Sequence, residues 1–126
     1  MFLLDASAVL THLLNERGKP EVSIYLKQSP AISAINLAEV VLRLQRDPQT
    51  TRLSINNLLS GSGMKILPFL HRELVTLAEL IIPVSSGLSL ADRVCLATAV
   101  ARRCPVVTAD RSWSKLKLPI EVICIR

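Results

Sequence analysis

Apolar positions in this chain come in two textures. Short continuous runs, MFLL at 1–4, AIS at 31–33 after Pro30, KILP at 65–68, PVVTA at 105–109 and EVICI at 121–125, read as five buried strands. Between them the apolar residues return at helical spacing. The clearest case is NLAEVVLRLQR at 36–46, with Leu37, Val40, Val41 and Leu44 on one face. The same reading predicts helices from about Ala6 to Asn15 and over 21–28, 49–59, 71–82 and 90–103. RGKP at 17–20 breaks the first of them, Pro48 ends or restarts the helix over 36–46, and GSG at 61–63 stops the next. PVSSG at 83–87 reads as a loop.

Strands alternating with helices imply an α/β sandwich, three layers built on a mainly parallel five-stranded sheet. No repeat or linker interrupts the pattern, and 126 residues suffice for one core, so the expectation is a single domain over 1–126. In such sheets ligands gather at the carboxyl ends of the strands, near a switch in strand order.

Composition narrows the picture. Half of the residues are apolar and no tract is of low complexity, so a disordered chain is excluded. No apolar run is long enough to cross a bilayer, and Asp5 interrupts an N-terminal stretch that lacks a basic leader, so a soluble, cytoplasmic protein without membrane attachment is expected. Cys95, Cys104 and Cys124 have no metal-ligand spacing and sit in apolar segments, where cysteine packs as a small hydrophobe. Two histidines, His12 and His71, are too few for a zinc site or a histidine-based triad of any ordinary design.

Four of the ten carboxylates fall at similar places in the pattern. Asp5 follows strand 1, Glu39 lies in the first turn of the helix after strand 2, Asp92 lies in the first turn of the helix before strand 4, and Asp110 follows strand 4. Each has an ordinary explanation. SLAD at 89–92 matches a capping box, NLAE at 36–39 nearly matches one with Asn36 as cap, and Asp5 and Asp110 suit N-caps themselves. Glu39 also has an i+4 partner in Arg43. Against this, Asp92 shares a helix face with Cys95, Leu96 and Ala99, and a carboxylate on a core-facing side is costly unless paired or metal-bound. If strands 1 and 4 are neighbours, the acids converge and repel. A hard divalent cation relieves that repulsion, and all-oxygen ligation suits Mg²⁺ or Mn²⁺.

The net charge of +5 adds a partner class. An acid-held metal on a basic protein suits a phosphodiester substrate, because the ion lowers the pKa of bound water and clamps phosphate oxygens. Candidate RNA-binding residues are Arg43 and Arg46 on the Glu39 face of their helix, with Arg93, Arg111 and Lys115; the first reading of each is an ordinary solvated charge. One Trp, one Tyr and two Phe leave little for base stacking, so phosphate contacts would carry the affinity.

LLDASAVL (3–10), SAINLAEVVLRL (33–44), GLSLADRVCLATA (87–99) and VVTADRSW (106–113) together resemble the PIN-domain nucleases, most closely the VapC-type toxins of bacterial toxin–antitoxin pairs. The resemblance spans the chain, with all four acids in order. It implies a sheet ordered 3-2-1-4-5 and Mg²⁺- or Mn²⁺-dependent cleavage of RNA. Asp5, Glu39, Asp92 and Asp110 become the catalytic metal-site acids, with the hydroxyls of Ser7 and Thr108 in support; capping or strand-end bonding is the other reading of those hydroxyls. Homodimerisation and inhibition by a cognate antitoxin come from the resemblance alone. Trp113 matches an aromatic position read as packing. Many members carry a further acid just after the fourth, where this chain has Ser112 and Trp113, so a second metal site is not implied.

Two rival readings have distinct signatures. A catalytically inactive PIN-like module would bind RNA or protein without metal and without cleavage. A phosphoacceptor-aspartate domain would want a second Asp at position 7, occupied by Ser7, or paired acids before its acceptor strand, and neither is present.

Overall fold

A computed structural model describes residues 1–45 and 47–126. Five strands, β1 (Phe2–Leu4), β2 (Pro30–Ser33), β3 (Lys65–Leu67), β4 (Val106–Thr108) and β5 (Val122–Cys124), form one parallel sheet in the order 3-2-1-4-5. Phe2 and Leu3 pair with Pro30 and Ala31 on one side, while Leu3 and Leu4 pair with Val106 and Val107 on the other. Chain order reverses at β1, so the carboxyl ends of β1 and β4 meet at the switch point.

The strands are apolar on both faces because both faces are covered. Leu4, Ile32 and Val107 point into a core with Val9, Val22, Val40 and Leu58 from α1 (Ala6–Leu13), α2 (Lys19–Tyr25), α3 (Ala34–Leu44) and α4 (Pro48–Ser62). Their neighbours Leu3, Ala31 and Val106 point the other way, into a core with Cys95, Leu96 and Ala99 of α6 (Leu90–Arg102) and with Trp113. One-residue alternation along each strand thus feeds two cores. Each fully buried Leu or Val stabilises the fold by about 1.5–3 kcal/mol relative to an exposed one.

Several boundaries differ from the sequence reading for local reasons. Helix α3 begins at Ala34 because Ser33, not Asn36, is the cap: the Ser33 hydroxyl accepts the Asn36 N–H at 3.0 Å. Glu39 therefore lies in the second turn, and the NLAE box does not form. Helix α2 starts two residues early, at Lys19, with Pro20 in its first turn, where a missing N–H costs nothing. Helix α4 runs through Gly61 and stops only at Gly63, whose φ of +64° suits glycine. The expected loop at 83–87 contains a 3-10 turn, Val84–Ser86, and a second 3-10 segment covers Arg111–Lys115. Of the three cysteines, all free, Cys95 and Cys104 are buried among apolar neighbours.

Helix α5 (His71–Glu79) is fastened to α6 by a buried acid that the sequence pattern does not reveal. Glu73 is fully buried; it accepts the Leu70 N–H at 3.1 Å and the Arg102 Nε–H at 3.2 Å. Burial pushes its carboxyl up, but backbone N–H groups and the Arg102 charge outweigh this and hold it below the ordinary value. Substituting Glu73→Ala strands a buried N–H and the guanidinium. Urea unfolding should register a loss on the order of 2–3 kcal/mol, with Glu73→Gln losing less because it still accepts from Leu70. Equal losses in both variants would mean that packing, not the carboxylate, is what α5 needs.

Candidate active site

The site is organised around Asp5. This residue ends β1, and its N–H still joins the sheet, donating to the Val107 carbonyl at 3.0 Å. The residue is only 3% exposed. Three donors hold its carboxylate. The Ala8 N–H in the first turn of α1 reaches Oδ1 at 2.8 Å, the Ser7 hydroxyl reaches both oxygens at 2.7 and 2.8 Å, and the Thr108 hydroxyl at the end of β4 reaches Oδ2 at 2.8 Å. The hydroxyl directions follow from the backbone. Ser7 Oγ accepts the Ala109 N–H at 2.9 Å and Thr108 Oγ1 accepts the Asp110 N–H at 3.0 Å, so each has its own proton to give to Asp5. Ser7 and Thr108 both orient the carboxylate and tie the end of β1 to the chain leaving β4.

Burial still dominates. It pushes the Asp5 carboxyl from its ordinary 3.8 up to about 6, against the lowering effect of the Ala8, Ser7 and Thr108 hydrogen bonds and with a further push from the Asp92 charge. Glu39 is raised too, first by burial and then by the Asp92 charge, with its Asn36 hydrogen bond and the Arg43 charge acting in opposition. The acids therefore feel one another, the condition that a shared cation relieves.

Asp92 and Asp110 both cap and remain available. Ser89 and Asp92 form the expected box: the Asp92 N–H donates to Ser89 Oγ at 3.1 Å and the Ser89 N–H to Asp92 Oδ2 at 2.9 Å. Asp110 Oδ1 accepts from the Ser112 N–H at 2.9 Å and its hydroxyl at 2.7 Å. Among the described residues, Asp92 Oδ1 and Asp110 Oδ2 accept no hydrogen bond. Asp5, Glu39, Asp92 and Asp110 line one open cleft of about 280 Å³, with Ser7 and Leu10 in its wall. As the side chains stand, no three acidic, His or Cys residues among those described are gathered tightly enough to hold one ion.

The cleft contains residues that the sequence reading does not single out. Glu16 is a fifth acid in its lining, and Arg126 joins Arg43 as a second arginine. Buried Asn36 is also new in its role: its Nδ2 donates to the Ala91 carbonyl at 3.1 Å, fastening the first turn of α3 to that of α6 and so setting Glu39 relative to Asp92. Its signal was present as S-x-x-N from Ser33 to Asn36, hidden by a plausible box one turn later. Glu16 and Arg126 have no local signal, being 110 positions apart.

The candidate cations divide. Arg43 lines the cleft, and among the described residues it makes no ion pair with Glu39. Arg93 is committed elsewhere, its Nη1 and Nη2 donating to the Ile82 and Pro83 carbonyls at 3.0 and 3.3 Å. Arg111 Nε donates to the Arg126 carbonyl at 2.8 Å. Lys115 lines a separate depression with Ile81, Pro83 and Leu118. Arg46 lies outside the described residues. Trp113 is fully buried, as packing requires. His12 is half-buried in α1 and His71 begins α5, and neither lines the cleft.

Several solved structures share this fold over nearly the whole chain. VapBC2 from Rickettsia felis, bound to a DNA fragment from its promoter, matches with a TM-score of 0.76 and 16% identity over 96% of either chain. DNA-bound VapBC from Salmonella typhimurium matches with a TM-score of 0.76 and 19% identity over 99% of this chain and 98% of the other. VapBC-5 from Mycobacterium tuberculosis, a member of the VapBC toxin–antitoxin family, matches with a TM-score of 0.65 and 24% identity over 97% and 96%. No curated protein matches the sequence significantly. The family model described as PIN domain matches residues 2–118, which takes in all five acids of the cleft; the chain belongs to the PIN domain family.

Proposed function

We propose that the chain is a metal-dependent endoribonuclease, the toxin of a toxin–antitoxin pair. The observation that carries this reading is the convergence of Asp5, Glu39, Asp92 and Asp110, from separate elements, on one cleft at the switch point of the sheet. The donor set suits Mg²⁺ or Mn²⁺ in chemistry and charge: all oxygen, one buried carboxyl raised to about 6, and an Asp92 charge that repels both it and Glu39. Asp5 would be the fixed ligand. Asp92 and Asp110 would contribute the oxygens not used in capping, and Glu39 would turn toward them from the second turn of α3. When bound, the ion supplies an activated water and a clamp on phosphate oxygens. Ser7 and Thr108 keep the Asp5 carboxylate fixed while the other acids adjust. Arg43 offsets the negative charge of the cleft where the RNA backbone would pass.

The solved relatives are VapBC complexes, which supports an antitoxin as the partner of this chain. Exposed apolar side chains before and at the start of α6, Ile81 at 92%, Val84 at 90% and Leu90 at 71%, support a surface that a partner chain covers, whether antitoxin or a second copy in a homodimer. No helix is long and apolar enough to cross a membrane among the described residues.

Calorimetric titration of Mn²⁺ into the parent should give binding in the micromolar to millimolar range, lost in Asp92→Asn. Cleavage of an RNA pool should require the metal and fall at least ~100-fold in Asp5→Asn and Asp92→Asn with the fold retained. Variants that cut RNA as fast as the parent would refute the site.

Stability should follow the same acid. Because the folded Asp5 carboxyl titrates near 6 and the unfolded one near 3.8, its favourable contribution is complete below about pH 4 and is lost as pH rises through 6. Denaturant unfolding without metal should therefore show the parent losing on the order of 3 kcal/mol relative to Asp5→Asn between pH 4 and 7. Millimolar Mg²⁺ should recover much of that loss. A pH-independent difference between parent and variant would show that Asp5 is not the strained charge.

A further inference from the structure

Arg126, in the lining of the acid cleft, is held by contacts at both ends of the residue. Its Nη1 donates to Glu16 Oε2 at 3.1 Å and to the Arg17 carbonyl at 3.2 Å, while its own carbonyl accepts the Arg111 Nε–H at 2.8 Å. The backbone beneath it is closely fitted. Gly18 adopts φ +101°, and a Cβ there would stand 2.9 Å from the Ile125 carbonyl oxygen, so only glycine lets the 16–18 turn lie against the 125–126 segment. Both Glu16 and Arg126 line the cleft, and their side chains keep 40% and 34% exposure.

The guanidinium is only half used. Among the described residues its Nε and Nη2 have no protein partner, and these two groups form the side-on edge that grips a phosphate or carboxylate in bidentate fashion. The contrast with its neighbours is direct: Arg93 spends both Nη groups on carbonyls, and Arg111 spends Nε on Arg126. An anionic strand entering a cleft lined by five carboxylates meets repulsion that needs a cation fixed in place, since a mobile one loses rotamer entropy on binding.

We propose that Arg126 binds a phosphate of the RNA strand beside the bond to be cut, and that Glu16 is the positioning residue that presents it. This rests on the ribonuclease reading. Glu16 is thereby excluded from the metal set: its charge is spent on Arg126.

The test compares parent, Arg126→Gln, Arg126→Lys, Glu16→Gln and Arg43→Gln on a single-stranded RNA oligonucleotide with Mn²⁺. Binding is read separately by fluorescence anisotropy in the slowed Asp5→Asn background, before cleavage proceeds. Arg126→Gln should raise KM and the dissociation constant by about 10-fold or more, with kcat changed less than about threefold, and should flatten the log–log salt dependence of binding by roughly 0.7, one phosphate contact. Arg126→Lys should recover part of the loss, since it keeps charge without the fork. Glu16→Gln should move KM in the same direction by a smaller factor. An Arg126→Gln protein with parental KM, affinity and salt slope would overturn the proposal while leaving the nuclease reading intact. So would a loss confined to kcat. A parent that neither binds nor cuts RNA, with metal binding preserved, would overturn both readings.

Discussion

The buried carboxylate of Asp5 is the constraint to which the rest of the site answers. An ionised acid with 3% exposure is tolerable only when its oxygens are occupied, and the donors come from two parts of the chain about a hundred residues apart. Ala8 and Ser7 are local, but Thr108 is available only because β4 lies directly beside β1. Strand order is thus tied to the chemistry of one side chain. If β1 paired with another strand on that side, Asp5 would lose the Thr108 hydroxyl, and the Ser7 hydroxyl would lose the Ala109 N–H that fixes its direction. The parallel pairing of Leu3 and Leu4 with Val106 and Val107 sets that register, and two apolar cores hold it.

Capping and metal ligation look like competing explanations of the same acids, but in this protein capping leaves atoms that ligation could use. Asp92 gives Oδ2 to the start of α6 and Asp110 gives Oδ1 to the 3-10 segment, leaving one oxygen of each without a partner among the described residues. The capping bond orients the carboxylate, and an oriented carboxylate loses less entropy when it meets an ion. Asp47 supplies the contrast. It caps α4 through Gln49 and lies away from the cleft, so its role ends with the helix. Placement at the carboxyl edge of the sheet, rather than residue type or cap geometry, separates a ligand candidate from a plain cap.

Much of this was legible in the sequence because the signals were local or periodic. Continuous apolar runs gave all five strands, and the four acids stood out because each followed a strand or opened a helix. What was not legible was choice between adjacent good options. Ser33 and Asn36 both cap well, and the chain uses the first and spends the second on Ala91. GSG reads as a stop, yet α4 passes Gly61 because its breaking conformation is needed only at Gly63. Nothing in the local sequence marks Glu73, and only the packing of α5 on α6 buries it against Arg102. Long-range pairs such as Glu16 with Arg126 leave no pattern in either segment.

Charge distribution sets what an anionic strand would meet at this cleft. The chain carries ten carboxylates and fifteen lysines and arginines, yet half of those carboxylates line this one cleft together with, among the described residues, two of the cations. The surface elsewhere is therefore more basic than a net charge of +5 conveys. A polyanion is drawn toward the protein over a Debye length and repelled at the last few ångströms. Net charge can bring such a strand near but cannot seat it. On the proposed reading, seating would fall to short-range groups that override the local field: a cation shared by the acids, and a guanidinium anchored at one edge and open at the other. Glu16 resolves the arrangement, because an anchor made from a further acid holds the arginine without adding net charge to the cleft.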